Sequence, residues 1–385
     1  MRARKIVTFY NKKQVCFDNI RKSSYSKSPL KPYLLLKKIK DDGYSDMLNV
    51  VSDFKPFTKN DFYTAHTKHY VNNVFNKRGN YNSNSVPWSH NLVESLTYTN
   101  ASLYNAIKYA VQNPDNVTFS PTSGFHHASP KEGSGFCTFS GQVIASTKIY
   151  REFGLSGCYF DLDGHFGNSI EDSRKYVHDL NKAIPVYANI NPKGTNDDYV
   201  DYLKRQFKKI EEAIIKNKIH YVVWCHGADS HEDDDLGHQC STYHWLKCAD
   251  LFYSWIKELD KKLGRSIPVT LALFGGYRKD DYNSVLSLHM NDLIKCSNIL
   301  CGNDFEEKIE VKNKPKTKTQ AYLFEKSSFE YDVPEIQEEP VSDNFEDFEA
   351  EEFKKQNFNY TNYKSWKEWY RIEKDKKRMK LFGTL

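Results

Sequence analysis

Across residues 5 to about 304, short apolar runs alternate with longer stretches in which apolar residues recur with helical spacing. The runs at 5–10, 157–162, 184–189, 220–225 and 269–274 predict strands, and the stretches at 198–216 and 241–262 predict helices. Strands alternating with helices predict an α/β fold, a single large domain whose central parallel sheet is flanked by helices. In such a sheet, ligands sit beyond the carboxyl ends of the strands. Asp161, Asp163 and His165 come at the end of one run, Asp229 follows a second, and Gly275-Gly276-Tyr277 follows a third. Polar motifs on separate strands are therefore expected at one edge of one sheet.

After about Asn303 the pattern changes. Residues 330–352 hold eleven acidic residues and no Lys or Arg, and 354–380 are rich in Lys and Arg around Trp366, Trp369 and Tyr370. We divide the chain into residues 1–304, which carry the candidate chemistry, and a charged extension over 305–385. The acidic part reads as a solvated linker. The basic aromatic end reads as a helix docked on the domain; an arm for a partner, or pairing of the two charge blocks, are the alternatives.

Composition narrows the class. The chain has 385 residues with 39 % hydrophobic, enough for a sizeable core, and is rich in Tyr (26) and Phe (24). Its net charge of +5 is spread over 55 basic and 50 acidic residues, too balanced for a nucleic-acid footprint. The sequence has no apolar run of transmembrane length. Its charged start lacks the apolar stretch of a signal peptide. The eight cysteines show no CxxC pair and read as reduced, mostly buried thiols. The expected location is the cytoplasm, with the nucleus open to a eukaryotic chain.

The candidate chemistry is a metal site. In extended backbone, residues two apart point the same way, so Asp161, Asp163 and His165 can face one region. Asp163, His165 and Asp229 offer two carboxylates and an imidazole, a donor set that suits a hydrolytic zinc ion with a position left for water. Asp161 is better placed to hold a neighbouring imidazole. His126 and His127 would move protons beside the metal. Tyr277 would hydrogen-bond a developing oxyanion. Gly135 and Gly276 are candidate substrate contacts, since glycines allow close approach of backbone. Taken singly, each motif is also an ordinary polar loop or turn; together they point to amide hydrolysis.

These segments, Ser123-Gly124-Phe125-His126-His127-Ala128, Gly135-Phe136-Cys137, 161–168, Gly227-Ala228-Asp229 and Gly275-Gly276-Tyr277, resemble the zinc-dependent histone deacetylase and acetylpolyamine amidohydrolase family, of the arginase/deacetylase fold. The segments 25–32 and 61–66 resemble that family's early helices, so the resemblance spans roughly residues 5–300. It implies that Asp163, His165 and Asp229 bind Zn2+, and that His127 is the general base and also protonates the leaving nitrogen. His126 with Asp161 would be its electrostatic partner, Tyr277 would polarise the acyl carbonyl, and Phe136 would wall a tunnel. A structural K+ near 161–165 is a further implication.

Departures from the family pattern bear on the substrate. Asn168 stands where some members place a second dyad aspartate, and others carry Asn. No aromatic occupies 191–195, the other tunnel wall. Ser85 stands where several members have a peptide-gripping aspartate. The acidic run 232–235 reads as a solvated loop, a mouth for cationic substrates being the alternative.

The leading expectation is a zinc-dependent amidohydrolase that removes an acetyl or other short acyl group from a lysine-like amine. Its partners would be an acylated lysine in a protein, or an acylated polyamine or other small amide, without direct nucleic-acid or membrane contact. The alternatives are an acetylpolyamine deacetylase, a weakly active acyl-binding scaffold, and a dinuclear manganese ureohydrolase on the same fold. The oligomeric state is left open.

Overall fold

A computed structural model describes residues 5–20 and 26–312. The acidic and basic stretches of the C-terminal extension, with Trp366 and Trp369, lie outside the described residues. Seven strands form one sheet in the order β2-β1-β3-β7-β6-β4-β5. They are β1 Ile6–Phe9, β2 Leu48–Val51, β3 Val117–Ser120, β4 Gly157–Asp161, β5 Asn189–Ile190, β6 Tyr221–Cys225 and β7 Val269–Ala272. Every pairing is parallel. The α/β class with one central parallel sheet is therefore the observed architecture.

Ten α-helices occur among the described residues: α1 Lys31–Asp41, α2 Lys59–Phe62, α3 Lys68–Asn76, α4 His90–Gln112, α5 Gly141–Phe153, α6 Ser169–Ser173, α7 Leu180–Ala183, α8 Asn196–Ile215, α9 Thr242–Leu263 and α10 Tyr282–Cys301. Alternate strand residues serve opposite faces. Ile6, Phe119, Phe160, Trp224 and Leu271 share a core cluster with Leu35 of α1, Phe207 of α8, Phe252 of α9 and Leu293 of α10. On the other face, Val7 and Phe9 meet Ala106 of α4, and the Tyr159 hydroxyl bonds Ser146 of α5. Burial on both faces explains why the central strands read as unbroken apolar runs.

Two strands were not legible in the sequence pattern. β2 is a half-exposed edge strand, and β3 is four residues long. The run expected as a strand at 184–189 is corrected. Val186–Ala188 is a single 3-10 turn, and the strand is only Asn189–Ile190. Pro185 explains this, since it lacks the N–H a ladder needs.

The register sets the site. Ser120 lies level with Ala272, Ala272 with Cys225, and Cys225 with Asp161. Four adjacent strands thus end on one line, and their following loops rise from one edge. Residues beyond α10 belong to the same compact unit, which runs to Lys312. Phe305 packs edge-on against Tyr44, Glu307 pairs with Lys295, and Glu310 pairs with Lys38.

Trp224 is fully buried and stacks on Phe252 with ring centroids 4.1 Å apart. Truncating it leaves a ring-sized void beneath the strand that leads to Asp229. Trp224→Ala is expected to lower unfolding free energy by about 3–5 kcal/mol in denaturant titrations. A loss below about 1 kcal/mol would contradict this packing account.

Candidate metal centre and its proton-transfer groups

The loop after β4 brings Asp163 and His165 to the same point as Asp229, which follows β6. One ligand atom from each lies within 4.8 Å of the others. Nδ1 of His165 sits 3.1 Å from Oδ1 of Asp163 and 2.9 Å from Oδ2 of Asp229. The remaining carboxylate oxygens are held by backbone amides. Gly275 N–H donates to Asp163 Oδ2 at 2.8 Å, and Gly164 N–H donates to Asp229 Oδ1 at 2.9 Å. The cradle is built on missing side chains. A Cβ on Gly227 would come within 2.5 Å of Asp229 Oδ1, and one on Gly275 would overlap that carboxylate outright.

The electrostatics fit a bound dication. Asp163 is 7 % exposed and Asp229 fully buried, and two adjacent buried carboxylates cannot both carry charge without a cation. Burial, then Asp163, pushes Asp229 up to about 7. Burial disfavours charge on His165, but its bonds to Asp163 and Asp229 prevail and hold its pKa up at about 11. A proton on His165 thus occupies the point where a cation could offset the two carboxylates. The donor set, two carboxylates and an imidazole, is that of a site with an open position.

The loop after β3 supplies the two further imidazoles. Their rings lie 4.0 Å apart, yet their partners differ. Nδ1–H of His126 donates to Asp161 Oδ2 at 3.1 Å, and Nδ1–H of His127 donates to Asn168 Oδ1 at 2.8 Å. Burial opposes charge on His126, but the carboxylates of Asp163 and Asp161 outweigh it and raise its pKa to about 9. For His127, burial and then its neighbour His126 lower the pKa to about 4. The two imidazoles are thus pushed in opposite directions, His126 toward the charged form and His127 toward the neutral one. Gly135, at φ +47°, lies against the His127 ring, which any Cβ there would overlap.

Tyr277 completes the ring of groups and is not on a free turn. It is 7 % exposed, its ring lies 5.4 Å from Phe136 and 6.3 Å from His165, and burial pushes its phenol well up. Its backbone N–H donates to Asp234 Oδ2 at 2.7 Å. This corrects the reading of 232–235 at Asp234. Asp234 is 2 % exposed, Asp235 accepts from Lys279 N–H, and Asp233 lies 3.8 Å from Arg278. These three aspartates fasten the Tyr277 turn, Asp234 from a buried position and Asp233 and Asp235 from half-buried ones, while Glu232 stays exposed. Phe274 at φ +58° and Gly276 at φ +137° give that turn its shape.

Three functional positions escaped the sequence reading. Asp234 was hidden in a charge run. Lys31 is fully buried and donates to the Phe274 carbonyl and, at 2.7 Å, to the Gly275 carbonyl. Burial lowers its pKa to about 8, with Asp229, Asp163 and Asp234 resisting. Asp172 accepts from Asn168 Nδ2 at 2.6 Å, and its spacing of four residues from Asn168 was the available signal. On the rim, Ser85 is exposed at φ +60°, and the preceding Asn84 carbonyl accepts from Phe136 N–H.

A model of the histone deacetylase domain matches residues 26–181, a range that includes His126, His127, Asp163 and His165 but stops before Asp229 and Tyr277. An uncharacterized protein of Picosynechococcus sp. is 26 % identical over 216 residues, which is 52 % of this chain and 68 % of that protein. Histone deacetylase 2 of Arabidopsis thaliana is 28 % identical over 178 residues, or 40 % of this chain and 43 % of its own. Acetoin utilization protein AcuC of Staphylococcus aureus is 23 % identical over 162 residues, or 35 % and 41 %. The match thus spans less than half the length of either named relative. Among solved structures, the HDA15 HD domain superposes with a TM-score of 0.57 at 14 % identity, covering 78 % of this chain and 90 % of that one, a likeness of fold.

Because His165 holds a proton where a metal would bind, metal uptake must release it. Apparent zinc affinity is expected to fall about tenfold per unit of pH as pH drops from about 9 to 7, with one proton released per ion in calorimetry across buffers of different ionisation enthalpy. Affinity that does not vary over that range would contradict the ligand assignment. Separately, Gly135→Ala is expected to lower any turnover that depends on His127 on the order of 10²-fold with the fold intact by circular dichroism, because a Cβ there displaces the His127 ring. An unchanged rate would contradict the placement of His127.

Proposed function

Since the chain belongs to the histone deacetylase and acetylpolyamine amidohydrolase family, we propose that it is a zinc-dependent amidohydrolase removing an acetyl or other short acyl group from a lysine-like amine. The observation that carries this reading is the pair of different partners, the Asp161 carboxylate on His126 Nδ1 and the Asn168 carboxamide on His127 Nδ1, beside one candidate metal-ligand set. Zinc held by Asp163, His165 and Asp229 would act as a Lewis acid on the acyl carbonyl and make a neighbouring water more acidic.

The residues of the chain do the rest. His127, neutral at physiological pH, takes the proton of the attacking water on Nε2 and returns it to the leaving nitrogen. His126, paired with Asp161, stabilises negative charge that builds at the reacting carbon's oxygen. Tyr277 keeps its proton because of burial and donates it as a hydrogen bond to that same oxygen. Asp234 and Lys31 hold the backbone on either side of Gly276, so the phenol is positioned before substrate arrives. Phe136 and Gly135 line the approach to His127, and Gly276 lets the Tyr277 turn close on the acyl group. The structural K+ near 161–165 rests on family resemblance alone.

The substrate amine is proposed as an acyl-lysine or a small acylated amine. Ser85 favours the small amide as the second reading, because it offers no carboxylate to grip a peptide backbone. Asp234 and Asp235 are engaged by the backbone N–H groups of Tyr277 and Lys279, which weakens the argument for polyamines in particular. We propose a cytoplasmic location, where eight buried cysteines would stay as thiols. No helix of the described residues is long and apolar enough to cross a membrane.

His127→Ala is expected to keep one zinc per chain, measured by metal analysis, and to lose on the order of 10²–10⁴-fold in kcat. A zinc-loaded variant with a rate within a few-fold of the parent would remove His127 as the base.

A further inference from the structure

We propose that Asp172 is a positioning residue that sets the tautomer of His127 by orienting the side-chain amide of Asn168, an inference that rests on the amidohydrolase reading for its catalytic consequence. Asn168 immediately precedes α6, and Asp172 lies one helical turn on, its backbone N–H donating to the Asn168 carbonyl at 2.9 Å. Side chains four residues apart on a helix meet on one face. Here they do so with Nδ2 of Asn168 donating to Asp172 Oδ2 at 2.6 Å.

A carboxamide has two different ends, and nothing intrinsic to Asn168 decides which end faces the imidazole. A carboxylate only accepts. With Asp172 on one side, the amide must present its N–H there and its oxygen to His127, 2.8 Å from Nδ1. An imidazole that meets an acceptor at Nδ1 carries its proton on that nitrogen, which leaves Nε2 bare to act as base. Turned over, the amide would set its oxygen against the Asp172 carboxylate and its N–H against Nδ1. His127 would then be protonated at Nε2 and unable to take a proton there. His126 needs no such device, because Asp161 faces it directly. The chain thus obtains a neutral base by placing the charge one amide away from His127. Asp172 itself is exposed, so its side chain can be exchanged at little cost to packing.

The test reverses the relay in the full-length protein. Asp172→Lys presents a donor to Asn168, so the amide turns over and offers its own N–H to His127. Nitrogen-15 spectra of labelled histidine, recorded without metal and with zinc, are expected to show the His127 proton on Nδ1 in the parent and on Nε2 in Asp172→Lys. With it, kcat falls on the order of 10²-fold or more at nearly constant KM, as for other bases held in the wrong tautomer. Adding Asn168→Asp to Asp172→Lys restores the Nδ1 proton and brings kcat back to within about tenfold of the parent, because a carboxylate has no donor end to turn. The proposal is overturned if Asp172→Lys leaves the tautomer unchanged, or if the double variant fails to restore it. Should the parent hydrolyse no acylated amine, the amidohydrolase reading fails, and the tautomers of the parent and variants still decide the role of Asp172.

Discussion

Two buried carboxylates that face one point are the constraint from which the rest of this molecule follows. Asp163 and Asp229 are removed from water and lie on either side of His165 Nδ1. Their mutual repulsion in a low-dielectric setting costs several kcal/mol unless a cation sits between them. The fold meets that cost with groups that cannot be moved. Backbone N–H groups of Gly275 and Gly164 hold the outer oxygens, and glycines stand wherever a Cβ would intrude. The level ends of four parallel strands bring those loops together from distant parts of the sequence. The capacity to hold a cation and part of the upward shift of His126 follow from that pair, the rest of the shift coming from Asp161.

Around this centre the protein separates two jobs that the same kind of side chain could do. His126 receives a full carboxylate from Asp161, and His127 receives only the dipole of Asn168. A dication seated at the ligands would offset part of the pull that Asp163 exerts on His126, while Asp161 would remain as its partner. For His127, burial and then the neighbouring His126 both push the pKa down, so the two trends act in the same direction. The Tyr277 turn is held with comparable care. It is fastened by Asp234 from one side and Lys31 from the other, with Phe274 in a backbone region that non-glycine residues rarely enter. Such strain persists only where surrounding contacts fix it.

Much of this was legible before any coordinates. The parallel α/β sheet followed from alternating runs, and the Asp-x-Asp-x-His spacing put candidate ligands at a strand end. What escaped the sequence did so for physical reasons. A charge run normally means solvent, and nothing in 232–235 announces that Asp234 turns inward to a backbone N–H. Lys31 reads as a surface lysine until the carbonyls of Phe274 and Gly275 are placed beside it. The run at 184–189 is apolar enough for a strand, but Pro185 confines pairing to Asn189–Ile190. β2 is an edge strand with little to bury, so it carries little pattern. Local periodicity reports how a segment is buried; it does not report which distant backbone a polar side chain will reach.

The central claim is that this metal centre hydrolyses acylated amines. It is tested most directly by turnover of zinc-loaded protein on acetyl-lysine peptides beside acetylated putrescine and spermidine, each with and without a hydroxamate chelator. The account predicts release of the free amine from at least one of these, abolished by the chelator. Protein that binds one zinc per chain and releases amine from none of them, nor from longer acyl homologues, would contradict it.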